Sequence, residues 1–182
     1  MSDEAPLLPD GPLAGSPDVP RGAVIAGVAP GVNPRVVVEA ARFARLSSAP
    51  LAVVHVDVTR FVTFEDPDGY VHSSQVELAA DAARAQLEQV EEAARRALAD
   101  TDVAWSVHQL VGDPATALAR LADRVDSPLL VVGTRRRGLG ESIREFFTGS
   151  VAARLTHRQH RPVLVVPLGE PVPDDQEIDW GL

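Results

Sequence analysis

The chain has no cysteine and no lysine, and each absence removes a class of chemistry. Without cysteine there is no disulfide, no thiolate nucleophile and no thiolate metal site. All 17 basic side chains are arginine, so a Walker-type phosphate lysine, a Schiff base and a lysine general base are excluded. Aromatic residues make up only 4% of the chain while 45% is hydrophobic, so the core has to be built from Ala, Val and Leu packed between helices and a sheet. Long apolar runs are also missing. No stretch approaches the roughly 18 residues that span a bilayer, and the N-terminal residues show neither a basic start nor an apolar signal stretch. A soluble cytoplasmic protein with no membrane contact is the expectation.

Acidic excess is present, but only at the ends. Residues 1–20 carry Asp3, Glu4, Asp10 and Asp18 and no base, and residues 169–182 carry Glu170, Asp174, Asp175, Glu177 and Asp179 and no base. Residues 21–168 balance 17 acids against 17 arginines. A nucleic-acid-binding surface needs a basic excess in the folded part, so no nucleic-acid partner is expected. The first 20 residues hold five prolines, which remove backbone donors and oppose regular structure. The expected organisation is a flexible acidic arm over 1–20, one domain over 21–168, and a flexible acidic tail over 169–182. Within that tail, Ile178, Trp180 and Leu182 could dock an exposed groove.

Inside the domain, apolar runs of strand length alternate with helical patterns. Strands are expected at Ala23–Val28 (AVIAGV), Leu51–Val58 (LAVVHVDV), Asp102–Val111 (DVAWSVHQLV), Pro128–Gly133 (PLLVVG) and Pro162–Leu168 (PVLVVPL). Asn33 followed by Pro34 reads as a helix cap and first helical residue, and so does Asp113 followed by Pro114. Between them, Val76, Ala80, Ala83, Leu87, Val90, Ala94 and Ala97 recur at spacings of three and four, which is one apolar stripe of a long helix lying on a sheet. The loop from Thr59 to about Ser74 contains EDPDGY, whose acids lack the alternation of a calcium loop. The resulting order, β-α-β-α-β-α-β-α-β, predicts an α/β fold: a five-stranded parallel sheet with helices on both faces. In such a fold ligands bind outside the carboxyl ends of the strands, so the loops after the first and fourth strands are the candidate site.

VIAGV, VVHV, GDPATAL, the fourth strand ending at Gly133, GSVAARL and RPVLVVP occur in this order over Ala23–Leu168, about four-fifths of the chain. On these motifs the sequence resembles the universal stress protein family, an adenine nucleotide alpha hydrolase-like sandwich. The resemblance implies a homodimer formed through the last strand, Pro162 to Leu168. One branch of that family binds ATP through a Gly-x2-Gly-x9-Gly-Ser/Thr loop after the fourth strand, with an Asp after the first strand; the other branch binds no ATP. By this resemblance the nucleotide contacts fall on the backbone around Val56, on Gly133, on the closing pair Gly149 and Ser150, and on Val151.

Three departures fall on the motif. Arg136 replaces the second glycine, 12 residues separate it from Gly149, and Ala29 stands where the Asp is expected. Gly138 and Gly140 sit inside the lengthened loop. Arg135 and Arg136, with Arg137, could replace backbone contacts by charge-assisted bonds to phosphate, or could pair with Glu141 or Glu145.

Other constellations carry less. His157 and His160 lie three apart but lack the further ligand that a metal site needs. His55 and His108 read as half-buried packing residues in strands. Ser150 lacks the Gly-x-Ser-x-Gly elbow of hydrolases, and VAPGVNP lacks the loop motifs of nucleotidyl transfer, so no catalytic residue is assigned and an enzyme is not expected. Two main readings stay open: a regulatory or sensor module of the stress response that binds ATP or another adenine nucleotide, and a nucleotide-free module that contacts protein partners; a third, slow nucleotide hydrolysis, would need a general base that the sequence does not name.

Overall fold

The computed structural model describes residues 18–31, 33–58, 73–134 and 151–169, and side chains within that set except those of 73–79 and 158. The elements in chain order are β1 (Val24–Val28), α1 (Arg35–Leu46), β2 (Leu51–Asp57), α2 (Ser73–Ala97), β3 (Trp105–Val111), α3 (Pro114–Val125), β4 (Leu130–Gly133), α4 (Val151–Arg158) and β5 (Val163–Val166). The five strands form one parallel sheet in the order β3-β2-β1-β4-β5. The winding therefore reverses between β1 and β4, and β3 and β5 are the edges.

Alternation along the strands divides the core into two layers. Ile25, Val54, Val56, Leu130 and Val132 pack under α3 and α4, against Leu118, Leu121 and Leu155. Val24, Ala26, Val53 and Val131 pack on the other face, against Val36, Ala40, Val90 and Ala94 of α1 and α2. All seven residues of β2 are buried, as expected of a parallel strand covered on both faces. The alanines of α1 and α2 have no bulk to hold a helix away from the sheet, so few aromatics are needed to fill the interior. The apolar stripe of α2 does face the sheet, with Ala83, Val90 and Ala94 buried.

Strand ends are shorter than the apolar runs suggested. β4 starts at Leu130 rather than Pro128, and β5 spans Val163–Val166 rather than Pro162–Leu168. Proline has no N–H for the ladder, so Pro128, Pro162 and Pro167 stay outside it. Instead the Pro162 carbonyl accepts from Leu130 N at 3.1 Å. β1 begins at Val24, β2 ends at Asp57 and β3 begins at Trp105. The acidic arm lies outside the described residues except for Asp18, Val19 and Pro20, and the tail does so except for Gly169.

Candidate functional site

At the carboxyl ends of β1, β2 and β4 the sheet opens into a cleft of about 630 Å³, a size that suits a small-molecule ligand. It sits at the reversal point between β1 and β4, as the alternation of strands and helices predicts. The floor is the end of β1 and the turn that follows it, Gly27 to Gly31, together with Gly133 and Thr134 after β4. Two glycines keep this floor low. A Cβ on Gly27 would lie 2.7 Å from Leu118 Cδ1, and one on Gly133 would lie 2.5 Å from Leu168 Cδ1.

The walls come from both faces of the sheet. On one side stand Pro114 and Leu118 of α3 with Val151 and Arg154 of α4; on the other stand His55 of β2 and Gln86 of α2. Asn33 adds a polar group beside the floor. Its side chain accepts from Arg35 N at 3.0 Å, but α1 begins at Arg35 with Pro34 as its N-cap and no side-chain cap bond, so the cap expected at Asn33 is displaced by one residue.

The Arg154 side carries an ion pair. Its Nη1 donates to Asp113 Oδ2 at 2.6 Å and its Nη2 to Asp113 Oδ1 at 2.7 Å. Asp113 also caps α3, with Oδ1 accepting from the Thr116 N–H at 3.0 Å and from the Thr116 hydroxyl at 2.7 Å. Burial alone would push this carboxyl up, but the Arg154 and Thr116 bonds outweigh it and hold it down at about 2. The pair fixes the guanidinium at the cleft wall. It engages two of the five N–H donors of an arginine, and the Asp113 carboxylate offsets the guanidinium charge. The first turn of α4 adds the positive end of a helix dipole on the same side.

The His55 side is polar and uncharged in its partners. His55 is only 5% exposed. Its Nδ1 lies 3.3 Å from the Val28 carbonyl oxygen and its Nε2 lies 3.2 Å from Gln86 Oε1. His55 is thus buried rather than half-buried, because the pleat of β2 turns it to the α2 face, and it also lines the cleft. His108 is half-buried and bonded to Ser106; burial lowers its pKa, opposed in part by the charge of Asp18.

The third wall segment follows β5. Leu168 N donates to Thr134 Oγ1 at 2.9 Å, the Pro167 carbonyl accepts from Arg35 Nη1 at 3.3 Å, and the Leu168 side chain lies against Gly133.

Of the residues singled out from sequence, Val56, Gly133 and Val151 line this cleft together, as does Ala29, which brings no polar group. Arg135, Arg136, Gly149 and Ser150 lie outside the described residues. α4 ends at Arg158, so His157 and His160 do not share a helical face, and among the described residues no group of three or more His, Asp or Glu could hold a metal ion. Sequence reasoning missed Arg154, Gln86, Thr134 and Leu168. For Arg154 a signal existed, since it falls at the fourth position of the helix that begins after the Gly-Ser pair, one turn from the expected anion seat.

A family model described as the Universal stress protein family matches residues 24–167. No relative among curated proteins matched. Among solved structures, a universal stress protein in complex with cAMP is 27% identical, with a TM-score of 0.56 over 81% of this chain and 97% of that one. A universal stress protein from Archaeoglobus fulgidus in complex with dAMP is 23% identical, with a TM-score of 0.51 over 79% and 96%. The universal stress protein UspA from Lactobacillus plantarum, 15% identical with a TM-score of 0.60 over 82% and 99%, shares the fold.

Proposed function

Because the chain belongs to the universal stress protein family, we propose that its cleft binds an adenine nucleotide and that the protein acts as a regulatory or sensor module of the stress response rather than as an enzyme. The observation that carries this reading is the division of the cleft: Arg154 and the start of α4 at one end, His55 and Gln86 at the other, joined by a low floor at Gly27 and Gly133. An anion is favoured where a guanidinium and a helix N-terminus converge. A base edge is satisfied by neutral donors and acceptors between apolar walls. The relative bound to cAMP supports the ligand class.

In this reading Val56, Gly133 and Val151 contact the nucleotide, and Arg135, Arg136, Gly149 and Ser150 complete the phosphate end. ATP is one member of the class and AMP another. The test is acid release of nucleotide from the purified full chain, followed by calorimetric titration with AMP and ATP. Released adenine nucleotide, or saturable heat, is expected; no release and no heat would overturn the proposal. Ala29 in the cleft lacks the carboxylate of the ATP-binding branch, and this favours the second reading, a nucleotide-free module for protein partners, should both measurements be blank.

We also propose a homodimer through β5. Among the described residues its outer edge has no strand partner, and pairing across a two-fold axis covers an apolar edge that otherwise invites aggregation.

A further inference from the structure

Resting on the adenine-nucleotide reading, we propose that Gln86 reads the base and that His55 is its positioning residue, locking the Gln86 amide in the one orientation that matches adenine. The inference starts from a conflict of hydrogen-bond roles. An uncharged imidazole has one N–H donor and one acceptor nitrogen. The Val28 carbonyl, 3.3 Å from Nδ1, can only accept, so in the uncharged ring Nδ1 carries the hydrogen and Nε2 carries the lone pair.

The partner of Nε2 must then donate. Gln86 is the group there, 3.2 Å away, and the oxygen and nitrogen of a side-chain amide are interchangeable in shape. Hydrogen-bond logic therefore turns the Gln86 NH2 toward His55. One of its two N–H groups is used on the ring. The amide carbonyl and the second N–H remain side by side, an acceptor next to a donor, on a half-buried side chain that lines the cleft.

That edge is selective. Adenine offers an amino donor at N6 beside a ring-nitrogen acceptor, the complement of a glutamine amide. A 6-oxo purine places an oxygen where the amino group was, so two acceptors face each other. A free glutamine would rotate its amide by half a turn and accept either base. Gln86 cannot do so without pointing its carbonyl at the lone pair of Nε2. His55 in turn cannot change tautomer, because Val28 contributes a backbone carbonyl that cannot donate. The chain Val28–His55–Gln86 thus transmits a fixed polarity from the backbone of β1 to the cleft. The ring itself is held in β2, whose residues are all buried.

The experiment compares AMP with inosine monophosphate, which differ at the 6-position and the adjacent N1 proton, by calorimetric titration of the full chain. The wild type is expected to favour AMP. Gln86→Leu and Gln86→Met should each lower that preference by roughly tenfold or more, the discrimination of one good bidentate contact. His55→Phe, which keeps a ring and removes the lone pair, should lower the preference while AMP binding persists, since the released amide can rotate. A merely structural role for His55 would weaken both nucleotides alike. Because Gln86 is half-exposed, its two variants fold even if His55→Phe does not, and thermal melting checks this.

Unaltered discrimination in the Gln86 variants would overturn the assignment while leaving nucleotide binding in place. A wild-type preference for inosine monophosphate would also overturn it, since the amide would then present its NH2 to the cleft. No binding of either nucleotide would overturn both this inference and the reading beneath it.

Discussion

Asp113 concentrates several jobs in one side chain: it caps α3, fixes Arg154 at the cleft wall and ties α3 to α4. Its carboxyl sits at about 2 in the folded chain, below the ordinary value of 3.8. A depressed carboxylate stabilises the fold in full above its unfolded pKa and loses that contribution as pH falls through its folded pKa. The window here runs from about pH 4 down to about pH 2. Urea denaturation should therefore show wild type more stable than Asp113→Asn at pH 7, with the gap closing across that window; a gap independent of pH would contradict the pairing. Asp113→Ala should cost about 1–2 kcal/mol for the cap alone at neutral pH. Gly27 sets a different kind of limit. Leu118 is buried and cannot swing aside for a Cβ placed 2.7 Å away, so Gly27→Ala should lose roughly 1–3 kcal/mol by overpacking, read as a lower denaturation midpoint. At Gly133 the nearer obstruction, Leu168, is half-exposed and can yield, but buried Val36, whose Cγ2 would lie 3.0 Å from the new Cβ, has less room.

At the level of elements, the sheet was legible because parallel strands buried on both faces read as continuous apolar runs, and the cap of α3 was visible as Asp113-Pro114, whereas α1 starts one residue later than Asn33-Pro34 suggested. Strand ends were not, because periodicity does not report that Pro128 and Pro162 sit outside the ladder. The floor of the cleft could be placed at the loops after β1 and β4 from the order of elements alone. Its walls could not. Arg154 meets Asp113 across 41 positions of sequence and His55 meets Gln86 across 31, and such pairings depend on how α2 and α4 lie on the sheet. β5 carries the prediction of this scale. Leu164 is half-buried at an edge strand, and Leu164→Arg should convert the proposed dimer to monomers in light scattering; an unchanged mass would place the interface elsewhere.

Over the whole molecule, burial and polarity are distributed unevenly around the cleft. No helix among the described residues is long and apolar enough to cross a membrane. β1 lies at the centre of the sheet, and the base of the cleft is where β1 and β4 end against close-packed Leu118 and Val132. Those atoms tolerate little change. Gln86 and Arg154, the groups proposed to meet a ligand sideways, stand on helices that the sheet supports from below. Ligand preference can thus be retuned one exchange at a time at this upper tier, with the foundations left untouched. A single scaffold built this way can vary its side walls while keeping its shape.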